Sequence, residues 1–188
     1  MRIIAGKLKG SKLHIASDKK TRPLKDMARE SIFNLLTHSN KILLKLEDSN
    51  VLDLYAGTGS FGLECLSREA KCVYFVENEK SAFKILQKNI EKLKIKKKTK
   101  IFSDDVFKFL EKKIYQIKFN LIFCDPPFKL TNIKELIKSI FNSNLLNKDG
   151  IIILHRNKKI KEKLPDYFEI IDERAYGVSK IIFGKFLS

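Results

Sequence analysis

From Asn50 onward the chain alternates between short apolar runs and longer amphipathic stretches, and this rhythm limits the folds open to it more than any other feature. Apolar runs fall at residues 51–55, 72–76, 100–102, 119–124 and 151–154. Stretches of helical length lie between them, at 61–69, 80–93, 106–113 and 133–142. Strand-length runs without polar alternation are buried on both faces, and a strand–helix–strand repeat lays helices over a parallel sheet. Two further runs, 167–171 and 180–186, flank Tyr176-Gly177-Val178 and predict an antiparallel hairpin at the sheet edge. The expected architecture is α/β, with seven strands, mostly parallel.

Residues 1–40 stand outside this rhythm and are expected to form a small appendage to a main domain at 41–188. Ile3, Ile4, Leu8, Leu13 and Ile15 surround Lys9-Gly10-Ser11, which predicts a β-hairpin turning at Gly10. Its basic residues, among them Arg2, Lys7, Lys9 and Lys12, suit a phosphate backbone or, equally, a solvated sheet edge. The break at 21–23 precedes a predicted helix over 24–37, with Met27, Ser31, Ile32, Leu35 and Leu36 on its packing face. Arg22 and Arg29 cluster with Lys25 and Glu30 at its start, where they suit an anionic ligand or RNA, or else a solvated face. Residues 38–49 read as a polar linker with one apolar patch.

The formal net charge of +16 favours an anionic partner, nucleic acid first. Lysine outnumbers arginine 32 to 6, however, and that matches a codon bias as well as it matches selection for phosphate recognition. Five lysines between positions 94 and 100 read as a solvated loop. No run is long enough for a membrane-spanning helix, and the amino terminus is charged too early for a signal peptide. Cys65, Cys72 and Cys124 have neither metal nor redox spacing, which fits reduced core residues of a cytoplasmic protein.

Chemistry concentrates where strands end. The run 119–124 stops at Asp125-Pro126-Pro127-Phe128; neither proline can donate to a sheet ladder, so the strand terminates there. A carboxylate, carbonyls beside rigid prolines and a flat ring suit a flat, amine-bearing ligand. Asp53 precedes Tyr55-Ala56-Gly57-Thr58-Gly59, and Gly62 completes a G-x-G-x-x-G spacing at a strand–turn–helix junction. That spacing also serves dinucleotides, but the Asp53 carboxylate suits an ammonium group and repels a pyrophosphate. Glu77, with Asn78 beside it, lies 20 residues after Gly57, where an acid can hold ribose hydroxyls. Asp104 and Asp105 follow the third run: one suits an adenine amino group, with Val106 against the ring, and the other a helix cap.

The Asp53 to Gly62 turn, Glu77, Asp105 and the Asp125-Pro126-Pro127-Phe128 strand end together resemble the class I S-adenosylmethionine-dependent methyltransferases. The tetrapeptide is similar to the Asp/Asn-Pro-Pro-aromatic signature of enzymes that methylate amino groups of nucleobases or of glutamine. More narrowly, Arg2-Ile3-Ile4-Ala5-Gly6 with Lys9-Gly10, Thr21-Arg22-Pro23, Arg29-Glu30-Ser31-Ile32-Phe33-Asn34 and Gly62-Leu63-Glu64 resemble the RsmD family, the 16S ribosomal RNA guanine-N2 methyltransferases. The resemblance implies a Rossmann-like sheet, S-adenosylmethionine as methyl donor, and a guanine in 16S rRNA within a small-subunit assembly particle as substrate. It implies Asp125, Pro126, Pro127 and Phe128 at the reacting amine, and a monomer is the default expectation. DNA adenine N6 and protein glutamine are the alternative targets. One departure stands out: the fifth run ends Leu154-His155-Arg156-Asn157, where the family commonly carries a glutamate.

Overall fold

The computed structural model describes residues 1–15, 26–112, 117–161 and 163–187. Arg22 and the 21–23 break therefore lie outside the described residues. A seven-stranded sheet runs in the order β3-β2-β1-β4-β5-β7-β6. Its strands are β1 (Asn50–Leu54), β2 (Cys72–Val76), β3 (Thr99–Phe102), β4 (Phe119–Cys124), β5 (Leu146–Asn157), β6 (Phe168–Tyr176) and β7 (Ser179–Phe186). β1 to β5 pair in parallel, while β7 runs antiparallel to both β5 and β6. The helices are α1 (Asp26–His38), α2 (Ser60–Ser67), α3 (Lys80–Lys92), α4 (Val106–Glu111) and α5 (Ile133–Ser143).

Alternate residues of each central strand feed two separate cores. Val51, Phe75, Leu121, Phe123 and Ile153 pack with α1, α2 and α3 on one face. Leu52, Leu54, Ile122, Cys124 and Leu154 pack with α4 and α5 on the other. Both faces of these strands are therefore removed from water, which is why the sequence shows runs and no alternation. Among the described residues no helix is long and apolar enough to cross a membrane.

The amino-terminal hairpin reduces to one antiparallel bridge, Arg2 with Lys12, around a turn. Ile3 N–H donates across the turn to the Ser11 carbonyl at 3.0 Å and Leu13 N–H to the Met1 carbonyl at 3.1 Å, while other backbone donors reach α2. Ile4 and Ala5 N–H donate to the Glu64 carboxylate at 2.7 and 2.9 Å, Lys7 N–H to the Ser67 carbonyl at 2.7 Å, and Leu8 N–H to Ser67 Oγ at 3.0 Å. The segment lies against α2 so closely that a Cβ on Gly6 would meet the Ser67 carbonyl oxygen at 2.0 Å. Ile3, Leu13, Ile32 and Phe33 share the core of the first face. The packing face of α1 also differs from expectation: Ala28, Arg29, Ile32, Phe33 and Leu36 are buried, while Met27 is exposed. β5 starts earlier than its apolar run because the sheet continues through polar residues 147–149 past an irregularity in the β4 register.

Candidate active site

The strand order reverses direction between β1 and β4, and in open α/β sheets ligands bind outside the carboxyl ends of strands at such a point. β1 brings Asp53 there, fully buried, with Oδ2 accepting the Gly62 N–H at 3.0 Å. The turn that follows needs its glycines for two reasons. Gly57 has φ +56° and nothing within 4 Å of where a Cβ would stand, so that side of the turn is open to a ligand. Gly62 faces inward, where a Cβ would meet the Phe75 ring at 2.3 Å. Gly59 precedes α2, with Thr58 buried beside it. Tyr55 also has positive φ, +59°, in a residue with a Cβ, which is backbone strain placed at the site. Burial pushes its phenol above the usual range, with Cys124 and Asp105 adding to the rise. Asn89 of α3 fastens the turn by donating to the Thr58 carbonyl at 3.0 Å, and it also bonds the His14 backbone in both directions.

Glu77, at the end of β2, accepts the Gly57 N–H at 2.7 Å through one oxygen and the Glu79 N–H at 2.7 Å through the other. A carboxylate has about four lone-pair sites, so acceptor capacity is left over. Asn78 is exposed next to it. Asp105 caps α4, accepting the Phe107 and Lys108 N–H groups, and Asp104 pairs with Lys112. Both aspartates thus have structural work, with Val106 buried between strand and helix.

The acids at the strand ends act on one another. Burial raises the Asp53 carboxyl well above its usual range; the Gly62 N–H opposes the rise, and Asp125 and Glu77 add like-charge repulsion. Burial likewise raises Glu77, against the pull of the Glu79 and Gly57 N–H groups. A cation placed among these three carboxyls relieves the strain; an anion aggravates it.

β4 ends in the tetrapeptide. Asp125 N–H donates to the Leu54 carbonyl at 3.3 Å, which ties the loop to β1. Pro126 is buried, Pro127 is exposed and Phe128 is half-buried. The turn closes through Leu130 N–H to the Pro127 carbonyl at 2.8 Å. Beneath it lies Arg156 of β5, fully buried, donating to the Pro127 carbonyl at 3.2 Å and the Leu130 carbonyl at 2.6 Å. Its neighbour His155 is buried with Nδ1 2.7 Å from Asp125 Oδ1, and the Phe128 ring stands edge-on to the imidazole at 5.5 Å. The sequence singled out His155 and Arg156 as a departure at the end of the fifth run but did not pair them with the tetrapeptide. The signal available was two polar residues closing an otherwise apolar strand.

The basic candidates divide. Arg2, Lys9 and Lys12 are exposed, and Lys7 is exposed but paired with Glu69 at 2.5 Å. Arg29 is a correction: it is fully buried, donating to the Arg2 carbonyl at 2.7 Å and pairing with Asp26 at 2.9 Å, so it faces no external ligand. Only Nη2 is partnered, by the Arg2 carbonyl and Asp26; Nε and Nη1 are buried without a partner among the described residues.

Sheet order, glycine turn and strand-end acids together define a Rossmann-like methyltransferase fold. A putative methyltransferase from Escherichia coli superimposes with a TM-score of 0.86 at 25% identity, over 100% of this chain and 98% of that one. A putative methylase from Haemophilus influenzae does so at 0.80 and 29%, again over 100% and 98%. The model of the family described as conserved hypothetical protein 95 matches residues 1–185, and the chain belongs to that family, the RsmD family. The ribosomal RNA small subunit methyltransferase D of Haemophilus influenzae is 31% identical over 179 residues, 95% of this chain and 90% of that protein. A putative rRNA methyltransferase of Bacillus subtilis is 30% identical over 188 residues, 98% of each chain.

Proposed function

We propose that the protein transfers a methyl group from S-adenosylmethionine to the exocyclic N2 of a guanine in 16S rRNA, acting as a cytoplasmic monomer on a small-subunit assembly particle. The observation that carries the reading is the convergence of Asp53, Glu77 and Asp125 around an open glycine turn at the reversal of strand order. A pyrophosphate is repelled there; a ligand bearing an ammonium and a sulfonium is attracted. When bound, S-adenosylmethionine supplies a methyl group whose bonding electron pair leaves with the sulfur.

The chain's own residues do the rest. Asp53 and the turn hold the amino-acid end, Glu77 takes ribose hydroxyls, and Val106 with the 104–105 loop borders the adenine. Guanine N2 is a weak nucleophile because its lone pair is delocalised into the ring. Asp125 and the Pro126 carbonyl accept its two N–H bonds, which favours a pyramidal nitrogen with its lone pair aimed at the methyl. The new N–C bond forms, and the surplus proton leaves N2 through Asp125 or water. Phe128 stacks on the base, a contact worth about 1–3 kcal/mol. A guanine within folded RNA must be extruded to arrive. The names of the relatives support ribosomal RNA as substrate. The exposed Arg2, Lys9 and Lys12 support residues 1–40 as the part that meets it.

The test uses methyl-labelled S-adenosylmethionine with small ribosomal subunits lacking guanine-N2 marks, followed by nucleoside mass analysis. The expected product is N2-methylguanosine, abolished in Asp125→Ala. Methyl transfer to DNA adenine or to protein glutamine alone would overturn the substrate.

A further inference from the structure

His155 stands one residue beyond Leu154, which pairs with Cys124, so strand register sets the imidazole abreast of Asp125. The ring is buried, and Nδ1 lies 2.7 Å from Asp125 Oδ1. The other nitrogen, Nε2, is buried without a hydrogen-bond partner among the described residues. A carboxylate can only accept, so the proton of this contact sits on Nδ1 and the imidazole donates. Nε2 then carries a bare lone pair; the opposite tautomer would bury an unsatisfied N–H, which is the costlier arrangement. The Phe128 ring packs edge-on against the same imidazole, 72° from coplanar. Asp125 keeps part of its carboxylate open, with 21% of its side chain exposed.

We infer that His155 is the positioning residue of the methyl transfer: as a neutral imidazole it holds Asp125 Oδ1, so that Oδ2 faces the substrate amine, and it sets the orientation of the Phe128 ring. The inference rests on the proposed reaction and adds a role for a residue that acts through Asp125 and Phe128. Its chemistry is specific. With Oδ1 engaged, Asp125 offers one acceptor to the amine, and the second N–H falls to the Pro126 carbonyl. The site thereby favours an amine with two hydrogens over one already methylated. β5 holds both halves of the tetrapeptide, the carboxylate through His155 and the proline turn through Arg156.

The experiment pairs His155→Leu, which keeps bulk and loses the donor, with His155→Asn, which returns an N–H near the position of Nδ1. His155→Leu is expected to lower kcat roughly 10- to 150-fold, the loss of one hydrogen bond to a charged group, with KM for the subunit and Kd for S-adenosylmethionine unchanged. His155→Asn is expected to recover most of kcat. A His155→Leu enzyme with wild-type kcat, or a His155→Asn enzyme as slow as His155→Leu, overturns the inference. A second readout is independent of turnover: nitrogen NMR of the histidine-labelled wild-type protein, with the ring assigned by its loss in His155→Asn. A proton on Nδ1 and none on Nε2, lost as a fixed tautomer in Asp125→Ala, supports the pairing; a proton on Nε2 alone refutes it. If the wild-type protein methylates no RNA while its spectrum shows the Nδ1 tautomer, the substrate reading falls and the pairing stands.

Discussion

Asp53→Asn should make the protein more stable and a poorer binder of its cofactor. Asp53 is 1% exposed, and the hydrogen bond it accepts, from Gly62 N–H at 3.0 Å, is one that an asparagine oxygen also accepts. The exchange removes the ionisable group and keeps that bond, while placing an amide NH2 where Oδ1 stood. Burial, reinforced by Asp125 and Glu77, raises the carboxyl's pKa in the folded protein, so the folded state holds its proton at pH values where the unfolded chain has lost it. Stability then falls as pH rises from the unfolded carboxyl range upward through the folded value. Each unit of displacement costs the ionised form about 1.4 kcal/mol. For a chain of this size each kcal/mol is worth about 2–4 °C of Tm. An asparagine cannot ionise, so the variant's Tm should exceed that of the wild type at pH 8, with the gap closing toward pH 5. Binding should move the other way. Loss of a charged hydrogen bond to the ammonium costs about 1.5–3 kcal/mol, or roughly 10- to 150-fold in Kd. Scanning calorimetry across pH gives the first quantity and titration calorimetry with S-adenosylmethionine the second. A variant less stable at pH 8, or one that binds as tightly as the wild type, would refute the account of Asp53.

The same cluster makes binding proton-linked. A cation favours ionised Asp53 and Glu77, so S-adenosylmethionine should release protons and bind more tightly from pH 6 to pH 8, which buffers of differing ionisation enthalpy will reveal. Phe128→Ala should lower kcat/KM on ribosomal subunits by roughly 5- to 150-fold, the value of one base-stacking contact, with cofactor Kd unchanged in calorimetry. Glu64→Ala strips two backbone N–H groups and the Arg68 guanidinium of a fully buried acceptor. Its cost, about 3–5 kcal/mol, should lower Tm by roughly 6–20 °C and open the first 15 residues to limited proteolysis. Arg156→Lys keeps the charge but cannot fork onto the Pro127 and Leu130 carbonyls. It should reduce kcat more than it changes cofactor affinity in the same two assays.

What the sequence disclosed follows from burial. β2 and β4 were legible to the residue because both faces of these strands are covered, which forces a continuous apolar run. The turn and the tetrapeptide were legible because glycine spacing and paired prolines have few structural uses. The amino-terminal turn at Gly10 was legible, with Arg2 bridged to Lys12, but its docking onto Glu64 and Ser67, some 60 residues away, was not, because no local pattern records it. Arg29 failed for the same reason: hydrophobic periodicity treats a guanidinium as solvent-facing, whereas this one bonds a carbonyl inside the fold. The pairing of His155 with Asp125 depends on strand register, which a sequence pattern leaves open.

The distribution of charge resolves an apparent conflict between a net charge of +16 and a site lined by carboxyls. The exposed lysines 96–98 immediately precede β3 and so lie at the amino ends of the parallel strands, away from the carboxyl ends where Asp53, Glu77 and Asp125 meet. Lys7, paired with Glu69 just beyond α2, belongs to that same end. Exposed lysines also stand near the carboxyl ends, Lys80 after β2 and Lys129 after the tetrapeptide, so a polyanion is attracted at both ends of the sheet while the cluster of buried acids is confined to one. Exposed lysines draw phosphates over a long range that salt screens, which favours encounter over selection of a base. The acids act at short range at the strand ends, where the burial of Asp53 and Glu77 weakens screening and favours a cationic ligand over a pyrophosphate. On the proposed function, neutralising exposed lysines should slow RNA association in a salt-dependent way in stopped-flow binding, whereas mutating the acids or their partners on β5 should leave association unchanged and lower turnover.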